Sequence, residues 1–457
     1  MIEKRPRGVF AQRLRRLAVR FAGPYALPDV TEEVPGAARA ADWNRGLADL
    51  LCRLGGALLQ GGELTSEVMA TLGDVAARYG VRARCFVVPT GLFVRVGEGD
   101  TAAMDFVPVT GDQLRLDQVQ ELYSLVRRLR ARTVPIDEAR EALARVVNLP
   151  TRLSPVTSVA GYAILTVGLG LLQHPTPVAV LGWAALGAVV GVLQLLGARF
   201  RALATAMPVV AAAAVTWTAM RWAGPLLDMN PEDLLIPPLI AFLPGAALTM
   251  GTIELATGAI ISGMARLASA ANVLLLLAFG ILVGSTLASG DRTAPLPAQD
   301  GLGGWAPWIG VLLLGLGFLI FYSARPRVLP WLLACLLLER AVQVAGAGVA
   351  GGFFGAFAAG LIIPVVTMLV ERRTDTPSQV LYLPSFWMLV PGATGLAGVS
   401  ELISGQDATG LANLLETVIT MVSIALGIMV GASLLPRTRV TVADVSGDQL
   451  RGTSDNA

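Results

Sequence analysis

The sequence predicts a mainly α-helical, polytopic membrane protein: ten transmembrane helices as two inverted five-helix repeats, preceded by a small α+β domain. Three observations predict it. The apolar part of the chain is written twice. Mean hydropathy is +0.64 and only 15% of residues are charged, far from a soluble average. Arginine clusters fall in alternate connections between the apolar runs.

The repeat aligns 236–287 with 383–434 without a gap, at an offset of 147 residues set by Pro237 and Pro384. Pro244-Gly245-Ala246 falls on Pro391-Gly392-Ala393, Gly251 on Gly398, Glu254-Leu255 on Glu401-Leu402 and Gly258 on Gly405. Further on, Gly280, Val283 and Gly284 meet Gly427, Val430 and Gly431. Shared hydrophobicity produces matching Leu and Val, but not Pro, Gly and Glu in register. Duplicated membrane halves are a habit of secondary transporters.

Residues 1–35 form a basic tail. Phe10, Leu14, Leu17 and Phe21 take one helical face and Arg13, Arg15, Arg16 and Arg20 the rest. Two readings stand open: a helix lying on an anionic leaflet, or a solvated, disordered segment. No long apolar run follows, so it is not a secretory signal.

Residues 40–150 read as the α+β domain, expected in the cytoplasm. Leu47, Leu50, Leu51, Leu54 and Leu58 give helical periodicity over 43–60, stopped at Gly61-Gly62, and a second helix over 64–79 ends at Gly80. ARCFVV and LFVRV flank Pro89-Thr90-Gly91, a hairpin signal. Amphipathic helices are expected near 116–130 and 136–147. The domain contains no phosphate loop, metal cluster or nucleophile–base pair; a regulatory or structural role is the default.

Ten apolar runs follow, near 156–173, 177–197, 203–223, 234–253, 268–289, 304–323, 328–345, 348–370, 380–400 and 413–435. Each is close to the ~20 residues that a bilayer core requires. They divide into repeats at 154–290 and 303–437, with a tail over 438–457. The pairs Arg199/Arg201, Arg325/Arg327, Arg372/Arg373 and Arg437/Arg439 occupy alternate connections, while LQHPTP, DMNPED and GDRTAPLPAQDG are poor in arginine. The positive-inside rule therefore places both termini in the cytoplasm. Five spans per repeat is an odd number, so the second copy enters from the opposite side. Inverted halves give two pseudo-equivalent states, the basis of alternating access.

Pro244-Gly245 and Pro391-Gly392 break matching helices. The backbone groups they free must face protein or a water-filled cavity, where a small polar solute could bind. Glu254 and Glu401 lie ten residues beyond the prolines. Proton coupling or contact with a substrate amine is the functional reading; interfacial capping or pairing with arginine is the plain one. Asp228 and Asp375 are read as helix caps. Glu339-Arg340 is a second intramembrane charge pair, without a counterpart in the first half. Gly280/Gly284, Gly427/Gly431 and Gly187/Gly191 carry the GxxxG spacing of close helix packing.

Other classes are weakly supported. Cys52, Cys85 and Cys335 have no paired spacing, and the single histidine, His174, reads as a loop residue, so no metal site or Ser-His-Asp hydrolase is expected. No GxxxxGK[ST] occurs, and Gly346, Gly348 and Gly351 spell GxGxxG without a preceding strand. The chain is therefore read as neither enzyme nor ATP-driven pump. No cofactor and no nucleic-acid partner is expected. The expected partners are a small substrate, protons and the lipid bilayer; a homo-oligomer stays open.

These features together resemble the bacterial threonine/serine exporters: a hydrophilic N-terminal domain followed by ten spans in two halves. The domain matches through LCRLGGALLQGGELTSEVMATLGDVAARYGV and VVPTGLFVRV, the membrane part through FLPGAALTMGTIELATG and MLVPGATGLAGVSEL. The resemblance covers nearly all of residues 40–436. It implies export of L-threonine, L-serine and related amino acids across the inner membrane, driven by the proton motive force. The direction of transport rests on it alone. Split relatives linked to succinate make a dicarboxylate exporter the alternative, and a membrane-anchored sensor is a third reading.

Overall fold

A computed structural model describes residues 37–109, 113–173, 176–288, 301–374, 376–389, 392–403 and 407–434. The basic tail, the C-terminal tail, His174, Asp375, Pro391 and Gly405 lie outside them.

The α+β domain begins with α1 (Ala37–Gln60) and α2 (Thr65–Arg78), continues through β1 (Ala83–Val88), β2 (Gly91–Val96) and β3 (Ala103–Pro108), and ends with α3 (Leu116–Ala131) and α4 (Ile136–Val147). The strands form an antiparallel sheet in the order β1-β2-β3. Val88 pairs with Gly91 across the expected turn, and Val96 pairs with Ala103. The third strand was not legible in the sequence. Alternation in β2 turns Leu92, Val94 and Val96 onto a core with Leu47, Leu50, Leu51 and Leu54 of α1. Burial pushes the Cys52 thiol up to about 12 and that of the half-buried Cys85 to about 11, which favours the neutral thiol at both.

The end of α1 directs the domain toward the membrane body. The Glu63 amide donates to the Leu58 carbonyl (3.1 Å) and the Gly62 amide to that of Leu59 (3.0 Å), with Gly62 at φ 85°. A side chain at Gly62 would be strained in that left-handed turn. The turn aims Glu63 and Thr65 away from the domain core.

The membrane body contains α5 (Pro155–Gln173), α6 (Ala179–Arg199), α7 (Arg201–Thr218), α8 (Gly245–Ala256), α9 (Ile260–Ala288), α10 (Ala306–Phe321), α11 (Leu329–Ala350), α12 (Gly352–Arg373), α13 (Ser378–Leu389), α14 (Gly392–Ile403) and α15 (Asp407–Ser433). Among the described residues six helices are long and apolar enough to cross a membrane; α13 with α14, bent by 43°, makes a seventh. The helix α10 is apolar but only 16 residues long. The expectation of ten spans is met in part. Two other runs are not among these: α7, with Pro208 inside it, continues into a π-helical turn at Ala219–Ala223, and 236–256 divides at Pro244 into a 3-10 segment, Pro237–Phe242, and α8.

Close contacts recur at repeat-equivalent positions. A methyl group on Gly263 would fall 2.7 Å from the Gly251 carbonyl oxygen, and one on Gly410 would fall 2.8 Å from that of Gly398. Gly280 and Gly284 of α9 press on Val209 and Ala213 of α7; Gly427 and Gly431 of α15 press on Phe357 and Leu361 of α12. Gly187 and Gly191 of α6 lie against Ala163 and Val159 of α5. Across the halves, α8 packs on α15 and α9 on α14. The helices α5 and α10 cross antiparallel, Gly161 meeting Ile320 and Gly317 meeting Leu165.

Candidate substrate cavity

The break before α8 is held by side chains of the first two membrane helices. Tyr162 of α5 donates its hydroxyl to the Pro238 carbonyl (2.7 Å) and accepts from the Ala241 amide (3.3 Å). The Trp183 indole of α6 donates to the Asp233 carbonyl (3.1 Å). Backbone groups that a regular helix would satisfy are met here by buried aromatic donors and acceptors.

A cavity of about 740 Å³ lies where the two breaks meet. Leu243, which precedes Pro244, lines it, as do Met388 and Leu389 before the second break and Thr394 after it. Its volume falls within the range of about 300–1,000 Å³ usual for small-molecule sites. The wall is largely apolar, with Trp387 and Phe353, and its polar groups are few. Arg340 and Gln343 come from α11, Glu416 and Thr420 from α15, and Gln173 from the end of α5. The Arg340 guanidinium donates to Gln343 Oε1 (2.8 Å), which steadies it without neutralising it. Among the described residues the lining holds one cation, Arg340, and one anion, Glu416.

The sequence-derived candidates divide. Pro244 and Gly245 form the first break, and Gly392 opens α14 after the second. Glu254 and Glu401 do not line the cavity. Glu254, 1% exposed, pairs with Arg266 (Nε to Oε2, 2.9 Å). Its other oxygen accepts from the Thr65 amide (3.1 Å) and hydroxyl (3.0 Å). Arg266 also donates to the Glu63 carbonyl (3.0 Å), and Gln379 of α13 donates to Glu63 Oε1 (3.0 Å). Glu254 thus docks the α+β domain onto the membrane body. Glu401 accepts from Asn413 Nδ2 (2.7 Å). Arg266 and Asn413 are repeat equivalents, so each carboxylate meets a partner twelve residues on, a cation in one half and an amide in the other.

Consecutive residues on a helix project about 100° apart. Arg340 accordingly reaches the cavity while Glu339 turns inward and is 1% exposed, with Ser385 of α13 beside it. Glu416 was not singled out from the sequence. Its signal was available: a lone acidic residue in the apolar run LANLLETVIT, with Ser269 at the equivalent position in the first half.

Apolar helices of spanning length around a solute-sized cavity at two helix breaks define a multi-pass membrane protein built like a transporter. A family profile described as "Putative threonine/serine exporter" matches residues 49–288 and 299–435, and the chain belongs to that family. A protein of Mycobacterium tuberculosis (strain ATCC 25618 / H37Rv) named "Probable threonine/serine exporter" is 24% identical over 436 residues, covering 89% of this chain and 79% of the relative. No solved structure matches.

Proposed function

We propose that the chain exports small amino acids, L-threonine and L-serine foremost, across the inner membrane by alternating access driven by the proton motive force. The name of the mycobacterial relative agrees with that substrate class. The observation that carries the reading is the pairing of Arg340 and Glu416 in one cavity at the two breaks. A guanidinium recognises a carboxylate bidentately, and a carboxylate accepts from an ammonium group. An amino acid carries both. A dicarboxylate would set its second charge in the same cavity as Glu416, which disfavours that alternative.

The same reading takes ten spans in two inverted halves, with both termini in the cytoplasm. The antiparallel crossing of α5 with α10 and the reciprocal packing of α8 on α15 and α9 on α14 support it. Substrate contact is assigned to Arg340 and Glu416. Glu254 is assigned to docking of the α+β domain, and Glu401 to the equivalent joint in the second half, where the Asn413 amide takes the place of the cation.

The test is threonine efflux from cells loaded through a threonine-containing dipeptide. Efflux faster than the empty-vector control, reduced by Arg340→Gln or Glu416→Gln in protein that still inserts, supports the reading. Efflux at the control rate from well-inserted protein rejects the substrate, and succinate is then the solute to load.

A further inference from the structure

Glu339 is the eleventh of the 22 residues of α11 and is 1% exposed. Neither of its carboxyl oxygens has a hydrogen-bond partner at ordinary geometry among the described residues. Among the described residues the neighbouring elements offer no cation at that depth. The helix α10 carries no titratable side chain, α12 carries Glu371, Arg372 and Arg373 only at its last turn, and the 3-10 turn before α11 carries Arg327. On α13 the one titratable group is Tyr382, directed to Thr367, and Ser385 is the hydroxyl beside Glu339. Within α11, Cys335 lies one turn earlier and Arg340 is committed to the cavity and Gln343. A bare carboxylate so enclosed is costly, and a bound proton removes the charge.

We propose that Glu339 is the proton-carrying group of the transport cycle. This rests on the proton-driven reading above and adds the residue that executes it. Ser385 stands on the first piece of the bent span α13–α14, whose far end, Leu389, forms the cavity wall. Displacement of that piece lifts Ser385 away and opens Glu339 to the cavity that Arg340 already reaches. With the cavity open outward, an external proton bonds to a Glu339 oxygen as the amino acid departs. With it open inward, that O–H bond breaks and the proton passes to cytoplasmic water. No other bond forms or breaks. The occupied, neutral carboxyl is the form that can be closed over while the cavity carries no substrate.

The full-length chain in proteoliposomes provides the test through two assays on the same vesicles. Threonine counterflow at equal pH needs the cavity but no net proton movement; accumulation under an imposed pH gradient needs both. Glu339→Gln should keep counterflow and reduce gradient-driven accumulation to the level of empty vesicles. Gradient-driven accumulation that survives in Glu339→Gln overturns the assignment and leaves the exporter standing. A wild-type chain without threonine counterflow overturns the exporter reading and this one with it. A second measurement needs no variant. Dicyclohexylcarbodiimide modifies protonated carboxyls in apolar surroundings, so peptide mass analysis of the wild type should locate the adduct on Glu339, weakening as pH rises. Absence of the adduct from Glu339 overturns the assignment.

Discussion

Thr65 donates both its amide and its hydroxyl to one oxygen of Glu254, a residue 189 positions further along the chain. The other oxygen is held by Arg266, which also grips the Glu63 carbonyl. One buried carboxylate therefore joins the α+β domain to the helix pair α8–α9. Glu254→Ala leaves Arg266, 13% exposed on its side chain, without its counter-charge, and breaking such a pair costs about 3–5 kcal/mol. The expected outcome is faster proteolytic cleavage between the domain and α5, with the membrane body still inserted. Asn413→Ala, at the equivalent joint of the second half, should leave that cleavage rate unchanged.

Docking should also depend on pH. Burial, reinforced by the neighbouring charge of Glu67, pushes the Glu63 carboxyl from 4.5 up to about 8. The protonated acid suits its surroundings: Oε1 accepts from Gln379, and Oε2, which has no partner among the described residues, can carry the proton. A carboxyl raised in the folded state binds more protons there than in the unfolded chain. Its contribution is therefore complete below about pH 4.5 and declines as pH rises toward 8. Thermal unfolding monitored from pH 5 to pH 8 should show this decline, and Glu63→Gln should flatten it.

The division between what was legible and what was not tracks the range of the interactions. Helix breaks and close packing depend on residue types that few others can replace, so Pro244, Gly251, Gly280 and Gly427 kept their register through the duplication and could be read. Partners could not. Arg266 and Asn413 differ in charge, and the alignment hid that both serve the same joint. The docking role of Glu254 depends on a contact with Thr65 that no local pattern announces. Separation of Glu339 from Arg340 came down to helix phase and to which neighbour each side chain meets. The strand β3 was missed because AMDFVP is a short run whose exposed Met104 and Phe106 blur the usual alternation.

The glycine crossings give a graded series. At Gly280 a Cβ would lie 2.6 Å from the Val209 carbonyl oxygen, a backbone atom that cannot step aside without moving α7. Gly280→Ala should therefore separate α7 from α9 and cost about 1–3 kcal/mol through overpacking. Gly427→Ala, against the Phe357 carbonyl, should do the same to α12 and α15. Among the described residues no atom outside its own helical neighbourhood lies within 4 Å of a Cβ added at Gly348, so Gly348→Ala serves as the control. Midpoints of thermal unfolding in detergent should fall for the first two variants and hold for the third.

Recognition of a zwitterion by Arg340 and Glu416 can be resolved end by end with ligand analogues. Removing one charged partner from a charge-assisted hydrogen bond costs about 1.5–3 kcal/mol, which corresponds to a rise in KM of about 10- to 150-fold. In the wild type, threoninamide, without the carboxylate, and N-acetylthreonine, without the ammonium, should both compete poorly with threonine efflux. Arg340→Gln should raise KM for threonine and make threoninamide nearly as good a competitor, because the lost charge no longer has a partner to miss. N-acetylthreonine should remain poor in that variant, since Glu416 still repels an uncompensated carboxylate. Glu416→Gln should reverse the pattern, relaxing discrimination against N-acetylthreonine alone. A general packing defect would raise KM for all ligands in parallel; the crossed loss of discrimination separates recognition from damage.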